Sequence, residues 1–158
     1  MNIVVKPAKP ADAETVAKLI GELLAEIMGA TGSKEFNFNL IEAKASAEGY
    51  LRRNVYFAFI AWTDPGNEAV GVLSLYECHS LYAEGIFGTI AELFVRPAFR
   101  SQGIGQSLLK SARDFAATRD WKRIEVTTPP LPLFQRSLEF YAKQGFAITG
   151  GHKLKTLL

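Results

Sequence analysis

Ala91-Glu92-Leu93-Phe94-Val95-Arg96-Pro97-Ala98-Phe99-Arg100-Ser101-Gln102-Gly103-Ile104-Gly105 runs from strand-like sequence into helix-like sequence. Thr89–Val95 is apolar and β-rich. From Ile104 to Ala116 the spacing turns helical: Ile104, Leu108, Leu109, Ala112, Phe115 and Ala116 share one side, with Lys110, Arg113 and Asp114 outside. Gly103 and Gly105 between them let backbone come close to a ligand. The first N–H groups of a helix lack intrahelical partners and lie at the positive end of its dipole. The loop therefore reads as an anion site suited to a pyrophosphate. Two look-alikes fail. A P-loop ends in Gly-Lys-Ser/Thr, and Gly105-Gln106-Ser107 has no lysine. A dinucleotide fingerprint needs a third glycine where Leu108 stands, and Arg96–Gln102 is too long for its tight turn. A turn shaped by glycines with no ligand is the plain alternative.

Outward from this stretch, Asn2–Lys6 reads as a strand and Pro10–Met28 as a helix. Pro10 suits the first helical position, and Val16, Ile20, Leu23, Leu24 and Ile27 form an apolar face. Gly29–Ser33 breaks it, and Leu40–Arg53 is a second helix. Val55–Trp62 and Glu68–Tyr76 flank the turn residues Thr63-Asp64-Pro65-Gly66-Asn67, which predicts an antiparallel hairpin. Glu77–Gly88 reads as a loop or ragged strand extension. Lys122–Thr127 is a buried-type strand, Pro129-Pro130-Leu131-Pro132 a rigid connector, and Phe134–Gln144 a last helix stopped by Gly145. Phe146–Thr149 and His152–Leu157 are expected to close the fold as a hairpin across Gly150-Gly151. The order predicts a mixed sheet with helices packed on it, α/β or α+β, in one domain over residues 1–158.

Composition narrows the function classes. Apolar residues make up 48% and charged residues 22% of 158, with a net charge of +2 and no basic cluster, which argues against a nucleic-acid or membrane partner. The longest apolar run, Val55–Trp62, is too short to span a bilayer, and the N-terminus lacks a signal peptide's apolar stretch. Cys78 is the only cysteine, so no intrachain disulfide forms, as suits the cytoplasm. In apolar sequence it reads first as a small hydrophobe, with a nucleophilic role needing help from His79.

Ala91–Gly105 resembles the acetyl-coenzyme A signature of the GCN5-related N-acetyltransferase (GNAT) family, Arg/Gln-x-x-Gly-x-Gly/Ala between a strand and a helix. Phe140-Tyr141-Ala142-Lys143-Gln144-Gly145-Phe146 resembles the family's Phe-Tyr-x-x-x-Gly-Phe. The resemblance covers nearly the whole chain. It implies a mostly antiparallel sheet of about seven strands with about four helices, splayed between its fourth and fifth strands into a cofactor cleft. By resemblance, backbone at Leu93, Phe94 and Val95 pairs with the pantetheine arm, beside a β-bulge. Phe94 and Val95 would hold the thioester oxyanion. Arg100 and the N–H groups of Ser101, Gln102, Gly103, Ile104, Gly105 and Gln106 would hold the pyrophosphate of acetyl-CoA, with no metal. Tyr141 resembles the tyrosine that protonates the departing thiolate; its plain alternative is a core aromatic.

An amine with a pKa of about 10 is mostly protonated at neutral pH and needs a proton acceptor. Glu92 resembles the family's carboxylate position; the other reading is a sheet-surface carboxylate. Glu77, His79 and Glu84 are further candidates. Phe36, Phe38, Tyr76, Tyr82 and Phe87 could line an acceptor pocket, with Glu77, Glu84 and Glu92 attracting a cation, which favours a small amine. The family often has an asparagine seven residues before the tyrosine; Phe134 stands there. The expected activity is acetyl transfer from acetyl-CoA to an amine by direct attack. A catalytically silent acyl-CoA sensor or partner-binding module on the same fold is the alternative. Homodimers are common in the family, and the exposed closing strands could pair two copies.

Overall fold

Val70–Leu75 is buried on both sides, and it forms the centre of the sheet. The computed structural model describes residues 2–32, 37–82 and 85–158. The chain divides into two compact units, Met1–Thr127 and Thr128–Leu158. The first holds strands β1 (Asn2–Pro7), β2 (Phe57–Asp64), β3 (Ala69–His79), β4 (Ile86–Val95) and β5 (Ile124–Val126), in that spatial order, with helices α1 (Ala13–Thr31), α2 (Leu40–Arg52) and α3 (Ile104–Thr118). The second holds α4 (Gln135–Lys143). The sheet is mixed: β1 to β4 pair antiparallel and β4 pairs parallel with β5.

Strand alternation sorts side chains between two layers. Val72 and Phe94 face α1 and α2, where they pack with Val16, Leu19, Leu51, Ala58 and Ile60. Burying Phe94, 4% exposed, contributes about 2 kcal/mol. Gly71 faces α3: a Cβ there would lie 3.3 Å from Leu108 and 3.4 Å from Ile104. Gly88 has a similar reason. A Cβ on it would overlap the Trp121 ring at 2.2 Å, so the glycine seats that indole against β4.

Among the described residues the sheet has five strands rather than about seven. The hairpin expected over Phe146–Thr149 and His152–Leu157 does not form, and residues 147–158 are exposed. Two short arms with no third strand in their own unit bury too little to hold a hairpin. The pairing of two copies through those strands thus has no strand to use. β5 is shorter than expected, three residues against Lys122–Thr127. In contrast, β3 and β4 run further into Glu77–Gly88 than the alternation suggested. Pro129–Pro132 is a run of bends and turns, closed by Phe134 N–H to the Pro130 carbonyl at 3.3 Å.

Candidate functional site

The site is built from the open edge of β4. Ser74 pairs with Glu92 but Leu75 pairs with Ile90, so Ala91 is a β-bulge. Pairing with β5 stops at Ile90–Val126, leaving Ala91–Val95 beyond the described ladder on that edge. Glu92 N–H donates to Ser74 Oγ at 3.1 Å and Arg96 N–H to the Val70 carbonyl at 2.9 Å, both toward β3. By alternation the Phe94 N–H turns to β3 as well, and the N–H groups of Leu93 and Val95 turn to the open edge.

The chain leaves this edge through a 3-10 turn, Pro97–Phe99, and reaches α3 through Ser101 (φ 61°) and Gly103 (φ 80°). Gly103 is the N-cap of α3 and offers no capping side chain, and the first turn holds no acidic residue. The first bond into the helix is Ser107 N–H to the Gly103 carbonyl at 3.0 Å. The N–H groups of Ile104, Gly105 and Gln106 therefore have no intrahelical partner. Ser101, Gln102 and Gly103 are exposed, with open space around Gly103. This geometry fits a pyrophosphate.

Arg100 is engaged within the protein. Its Nε donates to the Val95 carbonyl at 2.8 Å, and its Nη atoms grip Glu26 of α1 at 2.8 and 2.7 Å. Glu26 holds the guanidinium's pKa above its ordinary value. The side chain ties the glycine loop back to β4 and α1.

Glu92 sits on the α1/α2 face, half-buried. Its Oε1 accepts from Tyr56 Oη at 2.7 Å and Ser74 Oγ at 2.5 Å, while no described residue donates to Oε2. Ser74 is fully buried. Burial first, and then the negative charge of Glu92, push the Tyr56 phenol far above its ordinary pKa, so it stays a donor. Ser74 and Tyr56 were not singled out from sequence. The usable signal was Ser74, a lone hydroxyl in the apolar run Val70–Leu75.

Other candidates separate. Glu77 accepts from Trp121 Nε1 at 2.7 Å and Arg119 Nε at 3.2 Å; the Trp121 bond above all lowers its pKa. It fixes Trp121 rather than facing Glu92. His79 is exposed and lies 3.4 Å from Glu77. Cys78 Sγ contacts Thr89 Oγ1 at 3.2 Å. Phe38 packs on Gly21 of α1, Arg123 stacks 3.8 Å over Phe87, and Tyr82 is exposed. Phe36 and Glu84 lie outside the described residues. Tyr76 lines a concavity, about 320 Å³, with Tyr50, Val55 and Tyr56. A larger one, about 510 Å³, lies around the β2–β3 turn at Trp62–Asn67 and borders none of the expected site residues. Among the described residues no helix is long and apolar enough to cross a membrane, and no cluster of His, Cys, Asp or Glu could hold a metal.

In the second unit, Tyr141 is buried between Phe140 and Phe146, each ring centroid 5.4 Å away. Gly145 (φ 92°) ends α4: Phe146 N–H donates to the Tyr141 carbonyl at 3.0 Å and Gly145 N–H to that of Ala142 at 3.1 Å. This is a Schellman cap, whose apolar contact is Phe146 on Tyr141. Burial raises the Tyr141 phenol well above its ordinary pKa. Phe134 is the N-cap of α4 and makes no side-chain cap bond, where an asparagine could accept one.

Solved structures share this architecture. An aminoglycoside acetyltransferase from an uncultured soil metagenomic sample, in complex with trehalose, is 20% identical with a TM-score of 0.77, covering 99% of this chain and 97% of that one. The ribosomal-protein-alanine N-acetyltransferase of Brucella melitensis biovar Abortus 2308 is 21% identical (TM-score 0.72, 99% of each chain). A predicted acetyltransferase with acetyl-CoA from Clostridium acetobutylicum is 17% identical (TM-score 0.78, 98% and 96%). At these identities the likeness speaks to the fold. No curated protein matches the sequence. The family model for the acetyltransferase (GNAT) family matches residues 20–146, from α1 through the bulged strand and glycine loop to the Phe146 cap. With an uncapped α3 beside an open β4 edge, and a model match over most of its length, the chain belongs to the GNAT acetyltransferase family.

Proposed function

We propose that residues 1–158 act as one acetyltransferase domain, moving the acetyl group of acetyl-CoA to the amine of a small molecule. The observation that carries this is the carboxylate of Glu92 beside the open edge of β4, with the uncapped start of α3 at the strand's far end. Acetyl-CoA supplies the activated acyl carbon. Leu93 and Val95 offer outward N–H groups to its pantetheine arm and thioester carbonyl, while the Phe94 side chain fills the core and its N–H turns to β3. Ser101, Gln102, Gly103, Ile104, Gly105 and Gln106 bind pyrophosphate through backbone, and Arg100 positions them.

Glu92, directly or through water, takes the proton that the attacking amine must lose. Tyr141 keeps its phenol proton for the sulfur released when the carbon–sulfur bond breaks. A phenol is neutral at working pH and so carries a proton to give. Cytoplasmic residence agrees with the single cysteine.

Thiol release from acetyl-CoA over a panel of amines tests the reading. Tyr141→Phe lowers kcat about 100-fold and leaves acetyl-CoA affinity nearly unchanged; unaltered kcat removes Tyr141 from the reaction. The second reading, a silent acyl-CoA sensor, draws on Phe134 at the α4 cap. A thermal shift with acetyl-CoA and no turnover of any amine favours it.

A further inference from the structure

A concavity is linked to Glu92 through Tyr56. Its lining is Tyr50 near the end of α2, Val55 and Tyr56 leading into β2, and Tyr76 on β3. Tyr76 lies two residues beyond Ser74, on the same face of the strand and about 7 Å along it. Tyr56 joins the two features: it lines the concavity, and its hydroxyl donates to Glu92. The wall is thus aromatic and apolar, and one of its tyrosines bonds the Glu92 carboxylate.

Arg53 brings a charge of opposite sign to the Tyr50 side of the wall. Arg53 stacks with Cζ 5.5 Å from the Tyr50 ring centroid, held by its Nε to the Gly49 carbonyl at 3.3 Å. One aromatic face is therefore already taken by a cation. A ligand with a single ammonium meets Glu92 Oε2, which no described residue occupies, and keeps its uncharged part against the tyrosines. A ligand with a second ammonium meets Arg53 instead, and like charges there repel.

We infer that the acceptor is a monoamine with an aromatic or similarly apolar body, its nitrogen at Glu92 and its body against Tyr50, Val55, Tyr56 and Tyr76. This rests on the acetyltransferase reading above. It sets the chain apart from an aminoglycoside acetyltransferase, as some structural neighbours are named.

The test is steady-state thiol release from acetyl-CoA by the full chain with 2-phenylethylamine, spermidine, glucosamine and a peptide with N-terminal alanine. The first should exceed the others in kcat/KM by about tenfold or more. Tyr76→Ala and Val55→Asp, both at exposed positions, should each raise KM for 2-phenylethylamine about tenfold with little change in kcat. Circular dichroism melts check folding, and either variant suffices if the other fails to fold. Preference for spermidine, glucosamine or the peptide overturns the inference while leaving the acetyltransferase reading in place. So does an unmoved KM in a folded variant. No thiol from any amine, with acetyl-CoA still raising Tm, overturns both.

Discussion

Glu92 shows how one residue's role depends on its neighbours. A carboxylate on a strand is a surface group in most folds, but here two hydroxyls hold one of its oxygens and leave the other open. Ser74→Ala removes a donor to Oε1 and the acceptor of the Glu92 N–H together. We expect a loss of about 1–3 kcal/mol in urea unfolding, and a fall in kcat/KM for the amine at unchanged acetyl-CoA affinity. The tyrosines give a pH prediction. Tyr56 and Tyr141 both have phenol pKa values raised by burial. The folded state then keeps the proton where the unfolded state loses it. Their contribution to stability is complete below pH about 10, the ordinary phenol value, and falls as pH climbs beyond it. Phenolate absorbance from these two should therefore appear late, along with alkaline unfolding, and the double variant Tyr56→Phe/Tyr141→Phe should lack that late component. Ser74 was visible in the sequence as a hydroxyl in an apolar strand. Its bond to Glu92 was not, because the partner lies 18 residues away and only strand register brings them together.

At the scale of elements, the two motifs read from sequence are both helix ends. Gly-x-Gly starts α3 without a cap, and Phe-Tyr-x-x-x-Gly-Phe ends α4 in a Schellman cap. Local chemistry writes such ends, which is why α1, α2, α3 and α4 all form close to where periodicity put them. Strands were less legible. The closing hairpin had turn glycines and alternating residues, yet a strand needs a neighbour and none reaches it within its own unit. Gly88 marks the opposite case, where a residue unremarked in sequence shapes the sheet. Gly88→Ala drives a methyl into the Trp121 ring. A cost of about 1–3 kcal/mol is expected, seen as a lower Tm with altered tryptophan fluorescence. An unchanged melt shows that the indole moves aside freely.

Across the first unit, α1, β4 and the glycine loop are joined by one side chain. Arg100 bonds Val95 on the strand and Glu26 on the helix. Both partners are about one-third exposed, so the pair adds little to stability. Its effect is on position. Glu26→Gln should weaken acetyl-CoA binding several-fold by calorimetry, move Tm little and leave kcat nearly unchanged; equal affinity in the variant rules out the clamp. Arg100 was expected to touch the cofactor because it heads the motif, and sequence had no means of showing a carboxylate 74 residues away. By itself the sequence determined the helices, though α1 runs past the expected break at Gly29 to Thr31, the antiparallel β2–β3 hairpin, the glycine loop that opens α3 and the family, because each depends on residues near one another along the chain. Only the tertiary structure decided that the sheet stops at five described strands, that Glu92 leans on Tyr56 and Ser74, that Glu77 serves Trp121, and that Tyr50, Val55, Tyr56 and Tyr76 meet. Those outcomes rest on register, burial and the approach of distant segments, which local sequence does not encode.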